Sequence, residues 1–163
     1  MFFAFFGGGW LFLGISQSGH GSLLLYALLL IAAATIFFLA LRHYGANRSA
    51  REATEHTPEG KKRARQFNLI NALQWTAIII TSITLSNMHH GNWAVPAIIF
   101  IVGLHFLPLA RVFSYPPHLV TGIVLIAVAI AYPFVSPAGV NSVSGCIATG
   151  LVLWASALYG LSV

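Results

Sequence analysis

SLLLYALLLIAAATIFFLALRH, residues Ser22 to His43, decides how this chain folds. It holds no charge until Arg42, and its polar side chains before that are one serine, one tyrosine and one threonine. A helix that crosses the hydrocarbon core of a bilayer needs about 20 predominantly apolar residues at ~1.5 Å rise. This stretch meets that need. The whole chain agrees with it. Of the 163 residues, 58% are hydrophobic and 7% charged, and the mean hydropathy is +0.83. A soluble domain carries about 25% charged residues, and a water-facing fold of this composition would be one continuous apolar patch.

Working outward, the same reading predicts six spans in one all-α, integral membrane helical bundle over residues 1–163. They run approximately Phe2–Ser16, Ser22–His43, Gln66–Asn87, Trp93–Arg111, His118–Phe134 and Asn141–Leu161. The first is short and broken by Gly7, Gly8 and Gly9. No Lys or Arg precedes it, so it reads as a retained helix rather than a cleaved signal peptide. The connectors are rich in Gly, Pro, Ser and Asn, the expected punctuation. Such short links make successive helices antiparallel neighbours. The second span ends Phe38-Leu39-Ala40-Leu41-Arg42 and the fourth Phe106-Leu107-Pro108-Leu109-Ala110-Arg111, and each follows a helix bearing a tryptophan, Trp10 and Trp75, which suggests a repeated hairpin.

Charge sets the expected orientation. Seven of the eight basic residues lie between Arg42 and Arg65, with all three acids in the same stretch. By the positive-inside bias the polar loop 44–65 is cytoplasmic. Arg111, closing the fourth span, then falls on the same side. Both termini are expected in the cytoplasm, in a bacterial inner membrane. Within the loop, Ser49–His56 reads as a helical turn or two and Thr57–Gly60 as a turn. Glu52, Glu55 and His56 read as a solvated salt-bridged cluster. The +5 charge and a pI near 9.9 point to this topology signal and not to nucleic acid, because no recognition module surrounds the cluster. A single cysteine, Cys146, excludes an intrachain disulfide.

Polar groups are costly in hydrocarbon, so they face protein or water. The third span is the outlier. At 100° per residue, Asn68, Asn71, Gln74, Trp75, Thr81, Ser82 and Ser86 fall within an arc of about 140°. Two readings stand: interhelical hydrogen bonding, worth ~0.6–2 kcal/mol per contact, or the lining of a ligand or water path. The fourth span adds His105, six residues from Arg111 and so about 9 Å inside its end. A neutral imidazole at that depth needs partners on its ring nitrogens. Asn71, Gln74 or the Leu104 carbonyl freed by Pro108 are the expected suppliers.

Other histidines give weaker signals. His20, His89 and His90 share the outer connectors and are candidate metal ligands, though adjacent His89 and His90 rarely address one ion. His43, His105 and His118 on the inner side bring bis-histidine haem to mind without a paired spacing. No cofactor is firmly implied. No Asp occurs, and no Glu lies in a predicted span. Ion-coupled carriers usually bury a carboxylate, so facilitation fits better than pumping. No Ser-His-Asp or phosphate-loop constellation is present.

The run Trp93–Phe113, with Val95-Pro96 and then Gly103-Leu104-His105-Phe106-Leu107-Pro108-Leu109-Ala110-Arg111, resembles a segment of small bacterial polytopic membrane proteins with a GLHFLPLAR-type motif. The resemblance covers the third to fifth spans. No activity comes with it, so it implies fold and location only. The buried glutamate of four-helix multidrug transporters is missing, and the pattern of the five-helix tryptophan-rich sensory proteins is not reproduced.

The expectation is therefore a non-enzymatic protein that binds a small molecule or eases its passage. Its site would lie between the third and fourth spans and be lined by Asn71, Gln74, Trp75 and His105, with Trp75 offering a stacking face. The bilayer is the expected partner, and a homo-oligomer is left open. The alternatives are a histidine-ligated haem or metal redox protein or enzyme, and a non-catalytic accessory subunit held by its small-residue faces (Gly7, Gly8, Gly9; Gly145, Ala148, Gly150).

Overall fold

A computed structural model describes residues 2–46 and 57–162. Among them every regular element is helical: α1 (Phe2–Ser18), α2 (Leu23–Ala46), α3 (Pro58–Asn87), α4 (Ala94–Val112), α5 (Pro116–Val135) and α6 (Ser144–Ser162), with short 3-10 turns at Gly91–Trp93 and Gly139–Asn141. Five of these helices, α2 to α6, are long and apolar enough to cross a membrane. The 17 residues of α1 reach only about 26 Å at ~1.5 Å per residue. Large apolar side chains line the outer faces of these helices. Leu23, Leu24, Leu30 and Ile31 on α2, and Leu69, Leu73, Ile79 and Ile80 on α3, are all exposed.

Local chemistry explains the helix ends. Ser22 accepts from the Leu25 amide at the start of α2, an N-cap. Two helices close in the same way. His89 adopts φ 58° and Ser114 φ 50°. The His90 amide then reaches the Leu85 carbonyl at 2.8 Å, and the Tyr115 amide reaches Ala110 at 3.0 Å. With His89 bonded to Ser86 and Ser114 to Arg111, each is a Schellman closure that satisfies the last carbonyls. Pro116 and Pro117 then open α5, where a missing N–H costs nothing.

One local expectation is corrected. Thr57–Gly60 is not a turn but the start of α3, which runs back through the basic cluster to Pro58. The Thr57 hydroxyl accepts from the Gly60 amide at 3.0 Å. Pro58 stands at the first helical position and Glu59 in the first turn. A hydroxyl cap, a proline with fixed φ and an acid near the positive end of the helix dipole all favour initiation. The polar stretch 44–65 is accordingly helical at both described ends, to Ala46 and from Pro58. The expected turn at Ser49–His56, with Glu52, Glu55 and His56, lies outside the described residues. Removing the cap with Thr57→Ala is expected to destabilise the first turns of α3 by ~1 kcal/mol. Faster amide exchange over residues 60–65, with the apolar part of α3 unchanged, would report it.

The chain divides into two compact units, Met1–Ala46 with Ala131–Val163, and Asn47–Ile130. In the first, α1 and α6 form a close antiparallel pair at glycines. A Cβ on Gly7 would strike the Trp154 indole and lie 3.1 Å from the Gly150 carbonyl oxygen. A Cβ on Gly14 would meet the Ile147 side chain at 2.9 Å and the Cys146 Cβ at 3.2 Å. The Trp154 indole N–H donates to the Ala4 carbonyl at 3.1 Å. On the other side of α1, Gly8 faces Ala33 of α2, and the Phe12 and Tyr26 rings stand 5.2 Å apart. The small residues Gly7, Gly8, Gly145 and Gly150 are thus occupied by contacts within the chain. A Cβ on Gly9 would meet nothing within 4 Å.

In the second unit, α3 packs along α4, and α4 crosses α5 where glycines meet. A Cβ on Gly103 would lie 3.0 Å from the Gly122 carbonyl oxygen, and one on Gly122 2.7 Å from that of Gly103. Backbone-to-backbone approach at small residues is how helices associate in lipid, where no hydrophobic force drives them together.

Candidate functional site

The α3 surface divides cleanly. Phe67, Ile70, Asn71, Gln74, Ala77, Ile78, Thr81, Ser82 and Leu85 are half-buried, while Ala72, Ile79, Ile80 and Ile83 are exposed. The half-buried set recurs at three- and four-residue steps, the stripe a helix presents to a neighbour. Of the polar face expected to turn inward, Asn71, Gln74, Thr81 and Ser82 belong to this half-buried set. Asn68 and Ser86 are exposed at its edge.

His105 meets this stripe from α4. Its ring is half-buried, and its polar counterpart on α3 is the main chain of Ile70. Depth along the two helices agrees. Asn71 lies six residues beyond Arg65 and His105 six residues before Arg111, each about 9 Å at ~1.5 Å per residue. Since α3 and α4 are antiparallel and both cations are exposed, the carboxamide and the imidazole occupy one level. Gln74 is one turn deeper.

The His105 Nδ1 atom is buried and has no hydrogen-bond partner. The suppliers expected from sequence do not serve it: neither Asn71, nor Gln74, nor the carbonyl that Pro108 frees at Leu104. A buried nitrogen left unpaired costs ~1–3 kcal/mol. The outcome for Trp75 is different. It is 50% exposed and stands beside the packed stripe rather than within it. The arrangement therefore brings Asn71, Gln74 and His105 to one interface and leaves the tryptophan on its flank.

Comparison with known families, curated proteins and solved structures finds no match. The chemistry of the site must be read from its own groups. Two carboxamides and one imidazole donate and accept hydrogen bonds in fixed directions without formal charge. Glu59, in the first turn of α3, is the only acid among the described residues, and it lies twelve positions before Asn71.

Sequence reasoning did not find the rings around His105. Phe106 stands 5.5 Å from His105 and 5.8 Å from His118 of α5. Tyr115 lies 4.9 Å from His118, and Phe67 lies 5.9 Å from Phe113. His105 and His118 thus share one aromatic partner, though thirteen residues and a helix turn separate them in sequence. The proline pair after Tyr115 was the available signal, because it folds α5 back on α4.

The candidate metal ligands are placed otherwise. The His20 Nδ1 is 2.7 Å from the Ser18 carbonyl oxygen, and the main chain of His89 and His90 closes α3. Among the described residues no group of three or more His, Cys, Asp or Glu is placed to hold a metal ion.

Proposed function

We propose that this chain is a six-span protein of a bacterial inner membrane, with both termini in the cytoplasm, that binds a small polar molecule at the α3–α4 interface and eases its passage. α1 is the shortest span and is supported by its glycine contacts with α6. Orientation rests on the basic cluster before α3 and on Arg111 after α4. The observation that carries the functional reading is the buried, unpartnered His105 Nδ1 beside an inward polar stripe. A group so placed in lipid is satisfied by water or by a guest. The lack of acids in the apolar parts of the helices favours passage down a gradient over ion-coupled pumping.

Native mass spectrometry of the full chain, extracted in mild detergent, tests this. The expected result is a bound molecule of constant mass whose occupancy falls at least tenfold in His105→Ala. Equal occupancy in both proteins, or no bound molecule in either, defeats the assignment. A haem or a stoichiometric metal ion in the spectrum would transfer the histidines to the redox reading.

A further inference from the structure

The first unit contains a second polar cluster. Thr149 on α6 is fully enclosed and Tyr132 on α5 is 5% exposed, yet the Thr149 Oγ1 and the Tyr132 hydroxyl both lack a hydrogen-bond partner. This is unlike other helical hydroxyls of the chain. Thr35, Thr121 and Ser156 each donate to the carbonyl four residues earlier, at 2.8 to 2.9 Å, the usual way to hide a hydroxyl in an apolar helix.

The two orphan hydroxyls lie about one turn of α6 apart. The Tyr132 ring lies against the α6 backbone at Gly145. A Cβ there would fall 2.6 Å from Cζ, the carbon that bears the hydroxyl. Cys146 follows directly and is fully buried. Thr149 is three residues further, on the same face of α6. Gly14 of α1 closes the far side, its Cβ position 3.2 Å from the Cys146 Cβ. Toward the α5–α6 turn, Ser136, Ser142 and Ser144 form a closed set of hydroxyl hydrogen bonds. Ser144 is about 8 Å from Thr149 along α6 at ~1.5 Å per residue. Hydroxyls and a thiol therefore mark α6 from its start at the turn down to the two orphans.

We propose that Tyr132, Cys146 and Thr149 hold a trapped water molecule that enters by way of the serine cluster. A buried water typically makes about three hydrogen bonds, with two to four polar partners. The phenol donates, the threonine hydroxyl donates or accepts, and the thiol adds a weak third contact. A water between them satisfies both orphan hydroxyls at once. Among the described residues no side chain serves either hydroxyl. The site lies in the first unit, so it stands or falls independently of the α3–α4 reading.

The test is a mutant cycle on the full chain in detergent, joined to radiolytic footprinting in 18O-labelled water. With a shared water, Tyr132→Phe and Thr149→Val each lower the melting temperature by a few degrees. The double variant is no worse than the poorer single one, since the second change has no bridge left to break. Thr149→Ser, which keeps the hydroxyl, behaves as the unmodified protein. Footprinting should label Tyr132 despite its burial and lose that label in Thr149→Val. If the hydroxyls have no guest, both single substitutions raise the melting temperature or leave it unchanged, and their effects add. That result, or a Tyr132 label indifferent to Thr149→Val, overturns the proposal. Should either variant fail to fold, the footprint of the unmodified chain decides, since an unlabelled Tyr132 is incompatible with a water at its hydroxyl.

Discussion

Gly150→Leu should disrupt the α1–α6 pair and leave little folded, monodisperse protein. The position faces α1 at two points. A Cβ there would fall 2.5 Å from the Leu11 Cγ and 2.8 Å from the Gly7 carbonyl oxygen. Leu11 can turn aside, but Gly7 presents main chain, which moves only if the helices part. Parting them also pulls the Trp154 indole from the Ala4 carbonyl. Overpacking a tight core costs ~1–3 kcal/mol even when side chains absorb it. Here the backbone must absorb it, so a loss of about 3 kcal/mol or more is expected, a large share of a typical ~5–15 kcal/mol stability. Thermal unfolding in detergent, followed by size-exclusion chromatography, would record a sharp fall in melting temperature and in recovered monomer. Gly9→Ala is the matched control. Open space surrounds that position, and alanine gains about 1 kcal/mol over glycine in a helix. A Gly150→Leu protein that melts like the unmodified chain would remove the glycine contact from the account of this fold.

The glycines also show what a sequence reader could and could not see. The apolar runs located all six helices, because a bilayer demands length and greasiness whatever the neighbours are. Interiors were harder. Gly7, Gly8 and Gly9 are equivalent as letters, yet one meets Trp154, one meets Ala33 and one meets nothing. Which glycine is buried depends on the azimuth at which α6 arrives, and α6 lies more than 130 residues away in the chain. Thr57–Gly60 failed for the opposite reason. Pro and Gly read as breakers, whereas a preceding threonine makes the same letters a helix start.

The site was partly legible for the same reason as the spans. Of the polar positions that a helical period groups on one face of α3, Asn71, Gln74, Thr81 and Ser82 are half-buried, whereas Asn68 and Ser86 are exposed. Trp75 escaped, because an aromatic is at home on either side of a helix edge and its letter carries no direction. Tyr132 and Thr149 were hidden among apolar neighbours. Hydroxyls in helices usually bond their own backbone, so nothing in their letters distinguished them from Thr35 or Thr121.

Asn71→Leu with Gln74→Leu should remove ligand retention at the α3–α4 interface almost entirely, a loss of ~100-fold or more, while leaving the protein as stable as before or more so. The two roles open to a polar stripe predict opposite signs. If the carboxamides are interhelical glue, each contributes ~0.6 kcal/mol on average in a membrane helix pair. The double variant then melts at a lower temperature, and α3 separates more readily from α4. If they line a binding interface, they are held ready for a guest and contribute little to packing. Leucine then relieves the cost of keeping amides in lipid, at the expense of function. The size of the binding loss follows from the chemistry removed. Each directional hydrogen bond lost to a polar guest costs ~0.5–1.5 kcal/mol, and more when the guest's own group is left unpaired in a dry site. Two such losses, with the His105 nitrogen remaining as the sole polar anchor, reach ~3 kcal/mol, which is the stated factor at ~1.4 kcal/mol per tenfold. The paired measurements are melting temperature in detergent and occupancy by native mass spectrometry. A double variant that melts lower yet retains its bound molecule would make the stripe glue, and would move the guest, if one is present, to other groups. A variant that melts higher and has lost the molecule would show that α3 carries its amides for binding at the expense of stability.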